Sequence, residues 1–246
     1  MSVVLILAVL LVPAPQGSAA TLAAELLNNV DDLYRGKSAT GRMTMEVHTE
    51  HWARALTMTY WTRGKDKSLV RIVAPAKEKG TATLRSGNNI WNYLPKVKRV
   101  VKVPTSMMGG SWMGSHFTND DLVKQSRMAE DFTSTITFSG QRDGREIIEI
   151  TCLPHDDAAV VWGKVTVEVL AQSHLPVRSR YFDEDMALAR TLVFADVGHI
   201  GGRPLPMRLR MVPEDKPEEF TEVRYQSIAF DVDLPDDTFS LRELQR

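Results

Sequence analysis

Residues 60–103 read YWTRGKDKSLVRIVAPAKEKGTATLRSGNNIWNYLPKVKRVVKV, and residues 104–122 continue PTSMMGGSWMGSHFTNDDL. The first part is β-ribbon: strand-like runs at 67–73, 81–86, 89–94 and 99–103 are separated by the turn signals Arg63-Gly64-Lys65 and Ser86-Gly87-Asn88. The second part can be neither regular strand nor regular helix, because Gly109, Gly110 and Gly114 interrupt it. Yet it gathers Met107, Met108, Trp112, Met113 and Phe117 within eleven residues, too much apolar surface for an ordinary solvated loop.

Outward from this stretch the period of two persists. Residues 40–49 alternate, with Met43, Met45 and Val47 on one face opposite Thr44, Glu46 and His48. Further strands are predicted at 54–62, 132–138, 146–153, 164–170, 176–182, 188–197, 208–212 and 222–230, most of them bounded by turn residues. Helical spacing is confined to 21–34, where Leu22, Leu26, Val30 and Leu33 recur, and to shorter pieces at 119–128 and 156–161. Hairpin-length connections exclude a parallel α/β topology. The expected fold is mainly β (α+β), one curved or nearly closed antiparallel sheet with a few helices as lid or plug.

Eleven of the first 12 residues are apolar, and Gly17-Ser18-Ala19-Ala20 follows. So short an apolar core reads as a signal peptide over residues 1–20, although no Lys or Arg precedes it. Residues 21–246 are then expected to form a single domain that is soluble, secreted and monomeric. Cys152 is the only cysteine, so no intrachain disulfide can form, and its strand context reads as a buried thiol. A net charge of −1 provides no global field for nucleic acid.

The ribbon at 91–103 has two readings. Lys96, Lys98 and Lys102 share one face in strict alternation, either as protection of a sheet edge or, together with Arg99, as a basic docking strip for head groups or an acidic partner. The Met-rich loop likewise folds back as core filling or acts as a flap over an apolar cavity, since Met adapts to irregular partners. Asn119-Asp120-Asp121 reads as an N-cap with an acidic first turn. No Gly-x-Ser-x-Gly, His-Glu-x-x-His, Walker loop or Cys-x-x-Cys occurs, and the six His residues are scattered. No catalytic residue, metal or cofactor is therefore expected. A cleft gathering His116, Asp120 and Asp121 would be the first place to seek one.

The ordered blocks Arg71-Ile-Val-Ala-Pro75, Lys77-Glu-Lys-Gly80, Asn89-Ile-Trp91-Asn-Tyr93-Leu-Pro95, Lys98-Arg99-Val, Met-Gly-Gly-Ser-Trp-Met-Gly-Ser and Thr118-Asn-Asp-Asp-Leu122 resemble the outer-membrane lipoprotein-sorting proteins related to the periplasmic carrier LolA. The resemblance is strongest over residues 39–128. It implies an unclosed β-barrel with a helical lid, enclosing an apolar cavity for lipoprotein acyl chains or another lipid, in the periplasm. Its partners would be an inner-membrane transporter and an outer-membrane acceptor, met transiently. A regulatory module that senses a lipoprotein and acts on a membrane partner is the second expectation. Under the carrier reading Met43, Met45, Val47, Trp91 and Tyr93 are cavity wall or rim, and Met107, Met108, Trp112, Met113 and Phe117 form the flap. Lys96, Lys98, Arg99 and Lys102 serve docking. The resemblance also implies an arginine that holds the lid, for which Arg42, Arg54 and Arg71 are candidates by position.

Overall fold

A computed structural model describes residues 16–124, 128–156, 158 and 160–246. Most of the expected signal peptide lies outside the described residues. Helix α1 (Gln16–Asp32) starts upstream of the expected cleavage position and leads into strand β1 (Ser38–His48). The ribbon follows as β2 (Ala53–Arg63), β3 (Lys67–Ala74), β4 (Ala82–Ser86), β5 (Asn89–Leu94) and β6 (Arg99–Lys102). After the Met-rich segment come the short helices α2 (Asn119–Lys124) and α3 (Met128–Asp131), then β7 (Phe132–Arg142), β8 (Arg145–Pro154), β9 (Lys164–Leu170) and β10 (Pro176–Phe182). The chain closes with β11 (Leu188–Ile200), β12 (Arg203–Pro213), β13 (Phe220–Phe230) and helix α4 (Leu241–Leu244). The short helix expected at 156–161 is irregular chain where it is described.

All thirteen strands form one sheet in the order β6-β5-β4-β3-β2-β1-β13-β12-β11-β10-β9-β8-β7, antiparallel throughout. The two unpaired edges, β6 and β7, are consecutive in sequence. The chain therefore leaves the sheet at one edge, lies across its concave side as residues 103–124 and 128–131, and re-enters at the other. Bulges at Arg42/Met43 and Thr57/Met58 sharpen the curvature. Gly41 is needed there: a Cβ would stand 2.3 Å from the Ser227 carbonyl oxygen and 2.7 Å from the Tyr60 ring.

Alternation sorts the two faces. Inward lie Met43, Met45, Val47, Leu56, Met58, Tyr60, Ile72, Leu192, Phe194, Leu209 and Val223 in one cluster. A second cluster joins Ala23, Leu26 and Leu27 of α1 to Phe132, Ile150, Cys152, Val165 and Val167. On the outer face of β3–β5 the C-terminal segment covers Leu69, Ala82 and Leu84 with Phe239 and Leu244. Elsewhere the outer face is polar: buried Glu168 accepts from Arg142, Arg178 and Arg180 at 2.7, 2.9 and 3.1 Å. Among the described residues no helix is long and apolar enough to cross a membrane.

Burial pushes the Cys152 thiol up to about 12. Because the thiolate is the reacting species, a colorimetric disulfide reagent at pH 8 should leave the native protein unmodified and titrate one thiol after denaturation. Prompt reaction of the folded protein would contradict the buried placement.

Candidate functional site

The crossing segment is knitted from its own backbone. Ser111 and Thr118 form an isolated antiparallel bridge, and the Trp112 amide donates to the Phe117 carbonyl at 2.8 Å. Met113 takes a left-handed conformation, and the positive φ of Gly114 completes the tight turn. Helix α2 opens with a capping box: the Thr118 amide donates to Asp121 Oδ2 at 2.7 Å, and the Asp121 amide to Thr118 Oγ1 at 3.2 Å. The cap is thus Thr118 and not Asn119. Asn119 Nδ2 instead donates to the Met107 and Gly110 carbonyls at 3.2 and 3.1 Å, which staples the loop to the helix start.

Three contacts hold this lid on the sheet. Trp112 is 5 % exposed, and its Nε1 donates to Thr83 Oγ1 on β4 at 3.1 Å; Thr83 in turn donates to Asn92 Oδ1 at 2.7 Å. On β13 the Thr221 hydroxyl accepts from the His116 amide and lies 2.9 Å from its Nδ1, while His116 Nε2 lies 3.1 Å from Glu219 Oε2. The Thr221 hydroxyl has its own proton to give to Nδ1, an arrangement that directs an Nε2 proton at Glu219. That contact is the first cause holding the Glu219 carboxyl below its ordinary range; an amide bond from Glu50 adds to it.

The third contact is a buried ion pair. Arg190 on β11 donates to the His116 carbonyl at 2.8 Å and to Asp121 Oδ1, with its guanidinium 4.3 Å from the Trp162 ring and 4.5 Å from the Tyr181 ring. Arg190 is 5 % and Asp121 9 % exposed. The positional candidates for a lid arginine lie elsewhere. Arg42 is exposed, Arg54 pairs with Glu78 at 3.0 Å, and Arg71 pairs with Glu243 of the C-terminal segment at 3.8 Å. Sequence reasoning passed over Arg190, yet a signal existed: it shares the inward parity of Leu192 and Phe194.

Beneath the lid is a cavity of about 170 Å³ between α1, β1–β3 and β12–β13. Met43, Val70, Trp112, Phe117, Leu122, Leu209 and Val223 give it apolar walls, and Tyr34, Tyr60, Tyr225, Asp31 and Arg35 close the rest. A smaller pocket of about 50 Å³ lies between α1 and β7–β10, with Val30, Asp31 and Asp121 shared between the two.

Of the expected wall, Met43 lines the cavity, while Met45 and Val47 are buried in the core on the same face. Trp91 and Tyr93 are a correction. They pair across β4 with Leu84 and Ala82, on the outer face under the C-terminal segment, so neither is cavity wall. Of the expected flap, Trp112 and Phe117 line the cavity. Met113 packs on the core cluster from the lid's outer side, and Met108 is half-buried. Met107 is 59 % exposed and points away from the interior. Lys96, Lys98, Arg99 and Lys102 are all exposed on the edge hairpin. Their strict alternation fails because Pro95–Val97 is a 3-10 turn and Lys98 is left-handed. His116 and Asp121, named above with Asp120 as the first place to seek a catalytic cleft, bond to Thr221 and Arg190 and so anchor the lid. Among the described residues no group of three His, Cys, Asp or Glu side chains is placed to hold a metal ion.

The sheet is thus an unclosed antiparallel half-barrel, its concave side stoppered by a crossing lid and one helix. The solved structures it resembles carry that fold. A DUF1329 family protein from Desulfovibrio piger matches with a TM-score of 0.83 at 20% identity, covering 92% of this chain and 99% of that one. An outer membrane lipoprotein-sorting protein domain from Vibrio parahaemolyticus gives 0.79 at 21%, covering 92% and 100%. A LolA superfamily protein from Nitrosomonas europaea gives 0.76 at 20%, covering 90% and 98%. A family model described as "Uncharacterized protein" matches residues 64–246, more than half of the chain. The chain belongs to the family that this model describes, and its fold is that of the three solved structures. No curated protein matches it in sequence.

Proposed function

We propose that this protein is a periplasmic carrier that takes the acyl chains of a lipoprotein, or of another lipid, into its half-barrel and moves them towards the outer membrane. The observation that carries this reading is the apolar cavity roofed by a lid held at three polar contacts. At about 170 Å³ the cavity is below the ~300–1,000 Å³ usual for small-molecule sites. A chain enters only as the lid swings aside, and the clusters lining lid and sheet then part to receive it. Each buried methylene contributes about 0.8 kcal/mol, so an acyl chain on the order of ten carbons long offsets broken lid contacts worth several kcal/mol. Carriage of this kind needs no covalent chemistry.

Docking falls to the edge hairpin. Lys96, Lys98, Arg99 and Lys102 stand beside exposed Leu94, Val97 and Val101, next to an open depression that Trp52, Lys77, Lys79 and Met113 line at the outer side of the lid. Cationic and apolar groups together suit an acidic, partly apolar face on a membrane-bound donor or acceptor.

Lipid extracted from protein purified out of its native envelope and identified by mass spectrometry should contain acyl chains near one equivalent. Reversing the four hairpin charges to Glu should leave that lipid bound while slowing its transfer to acceptor membranes. Protein that arrives without lipid and takes up none from vesicles would refute the carrier reading.

A further inference from the structure

The cavity wall is not uniformly apolar. On β2, Tyr60 and Thr62 are two residues apart, so both face inward, and they are 5 % and 8 % exposed. Tyr60 Oη and Thr62 Oγ1 have no hydrogen-bond partner in the protein. Two hydroxyls nearby are engaged: Tyr34 Oη donates to the Pro206 carbonyl at 2.8 Å, and Thr40 Oγ1 to the Tyr60 carbonyl at 3.0 Å. The backbone is shaped to admit the Tyr60 ring, since it packs on Gly41 where any Cβ would collide with it. A buried hydroxyl without a partner destabilises the fold, so two at one end of a cavity mark a place for an outside oxygen or nitrogen.

Charge narrows the choice. The carboxylate at this end, Asp31, has Arg35 at 3.2 Å and Lys65 at 4.0 Å beside it as counter-charges, although neither of its oxygens has a hydrogen-bond partner. Those two cations offset its charge, as Arg190 offsets that of Asp121, and the hydroxyls of Tyr60 and Thr62 can donate. From Tyr60 and Thr62 the wall continues as Met43, Phe117, Leu209 and Val223, which offer only apolar contact.

Resting on the carrier reading, we infer that the cavity selects an apolar chain ending in an oxygen acceptor, a carboxyl or an ester carbonyl, received by the hydroxyls of Tyr60 and Thr62. Water occupies such groups in the ligand-free protein, and the acceptor replaces it. Hydrocarbon without an oxygen leaves the hydroxyls unmet and binds less tightly.

The test uses three fluorescent probes on the whole protein: cis-parinaric acid, its methyl ester, and the hydrocarbon diphenylhexatriene. Wild type should bind all three, the hydrocarbon most weakly. Tyr60→Phe and Thr62→Val should each weaken the oxygen-ended probes roughly fivefold, the loss of one hydrogen bond, and leave diphenylhexatriene unchanged. Loss confined to the acid assigns the site to a free fatty acid; equal loss for acid and ester assigns it to an acyl carbonyl. Both variants should keep or raise the ligand-free Tm, whereas hydroxyls with a structural role would lower it. Equal weakening of all three probes, or none, overturns the inference. Failure of wild type to bind any of them overturns the carrier reading beneath it.

Discussion

Asp121→Ala should lower stability by about 3–5 kcal/mol, the cost of stranding one member of a buried ion pair. The variant leaves the Arg190 guanidinium between Trp162 and Tyr181, out of water, with only the His116 carbonyl to receive it. It also removes half of the capping box at Thr118, worth about 1 kcal/mol more. Because the pair joins lid to sheet, the loss should appear first as lid opening. Hydrogen exchange at residues 107–121 should accelerate by two to three orders of magnitude, about tenfold for each 1.4 kcal/mol, while amides of β1 and β2 keep their protection. The double variant Asp121→Leu/Arg190→Met should cost less than either single change, since an apolar pair of similar volume needs no solvation. Additive losses would show that the two residues do not act as a pair.

Trp112→Ala has the second large effect. Its indole is 5 % exposed in the main core cluster, where truncation of an aromatic costs about 3–5 kcal/mol. It also removes the indole donor to Thr83 Oγ1, which keeps only its bond to Asn92. Chemical denaturation should register the loss, and a bound acyl probe should leave the variant markedly faster because Trp112 forms part of the roof. Met107→Ser is the control: a side chain 59 % exposed should change neither quantity. Equal effects from both substitutions would mean that the lid is anchored elsewhere.

Most of the sheet was legible because period-two alternation survives wherever one face is buried, as at Met43, Met45 and Val47. The same alternation misplaced Trp91 and Tyr93. Parity says that two residues share a face but not which face is concave, and here the outer face of β3–β5 is also covered, by Phe239 and Leu244. Turn geometry hid the true arrangement of the lysines, since the Pro95–Val97 turn resets the register. Arg190 was missed for a different reason. A lone charge on an apolar face resembles an edge or a bulge until its partner, sixty-nine positions upstream, is seen beside it. Tyr60 and Thr62 gave no signal at all, because a hydroxyl without a partner looks in sequence like any other.

The strand order has a mechanical consequence. Because β6 and β7 are the two free edges and the segment between them is the lid, the lid is a strap tied across a split cylinder. Its span is set by chain length, so a cargo that spreads the cylinder draws the strap taut and pulls on both rims. One rim is the hairpin bearing Lys96, Lys98, Arg99 and Lys102. Fullness inside would thus be felt as tension at the surface proposed for docking.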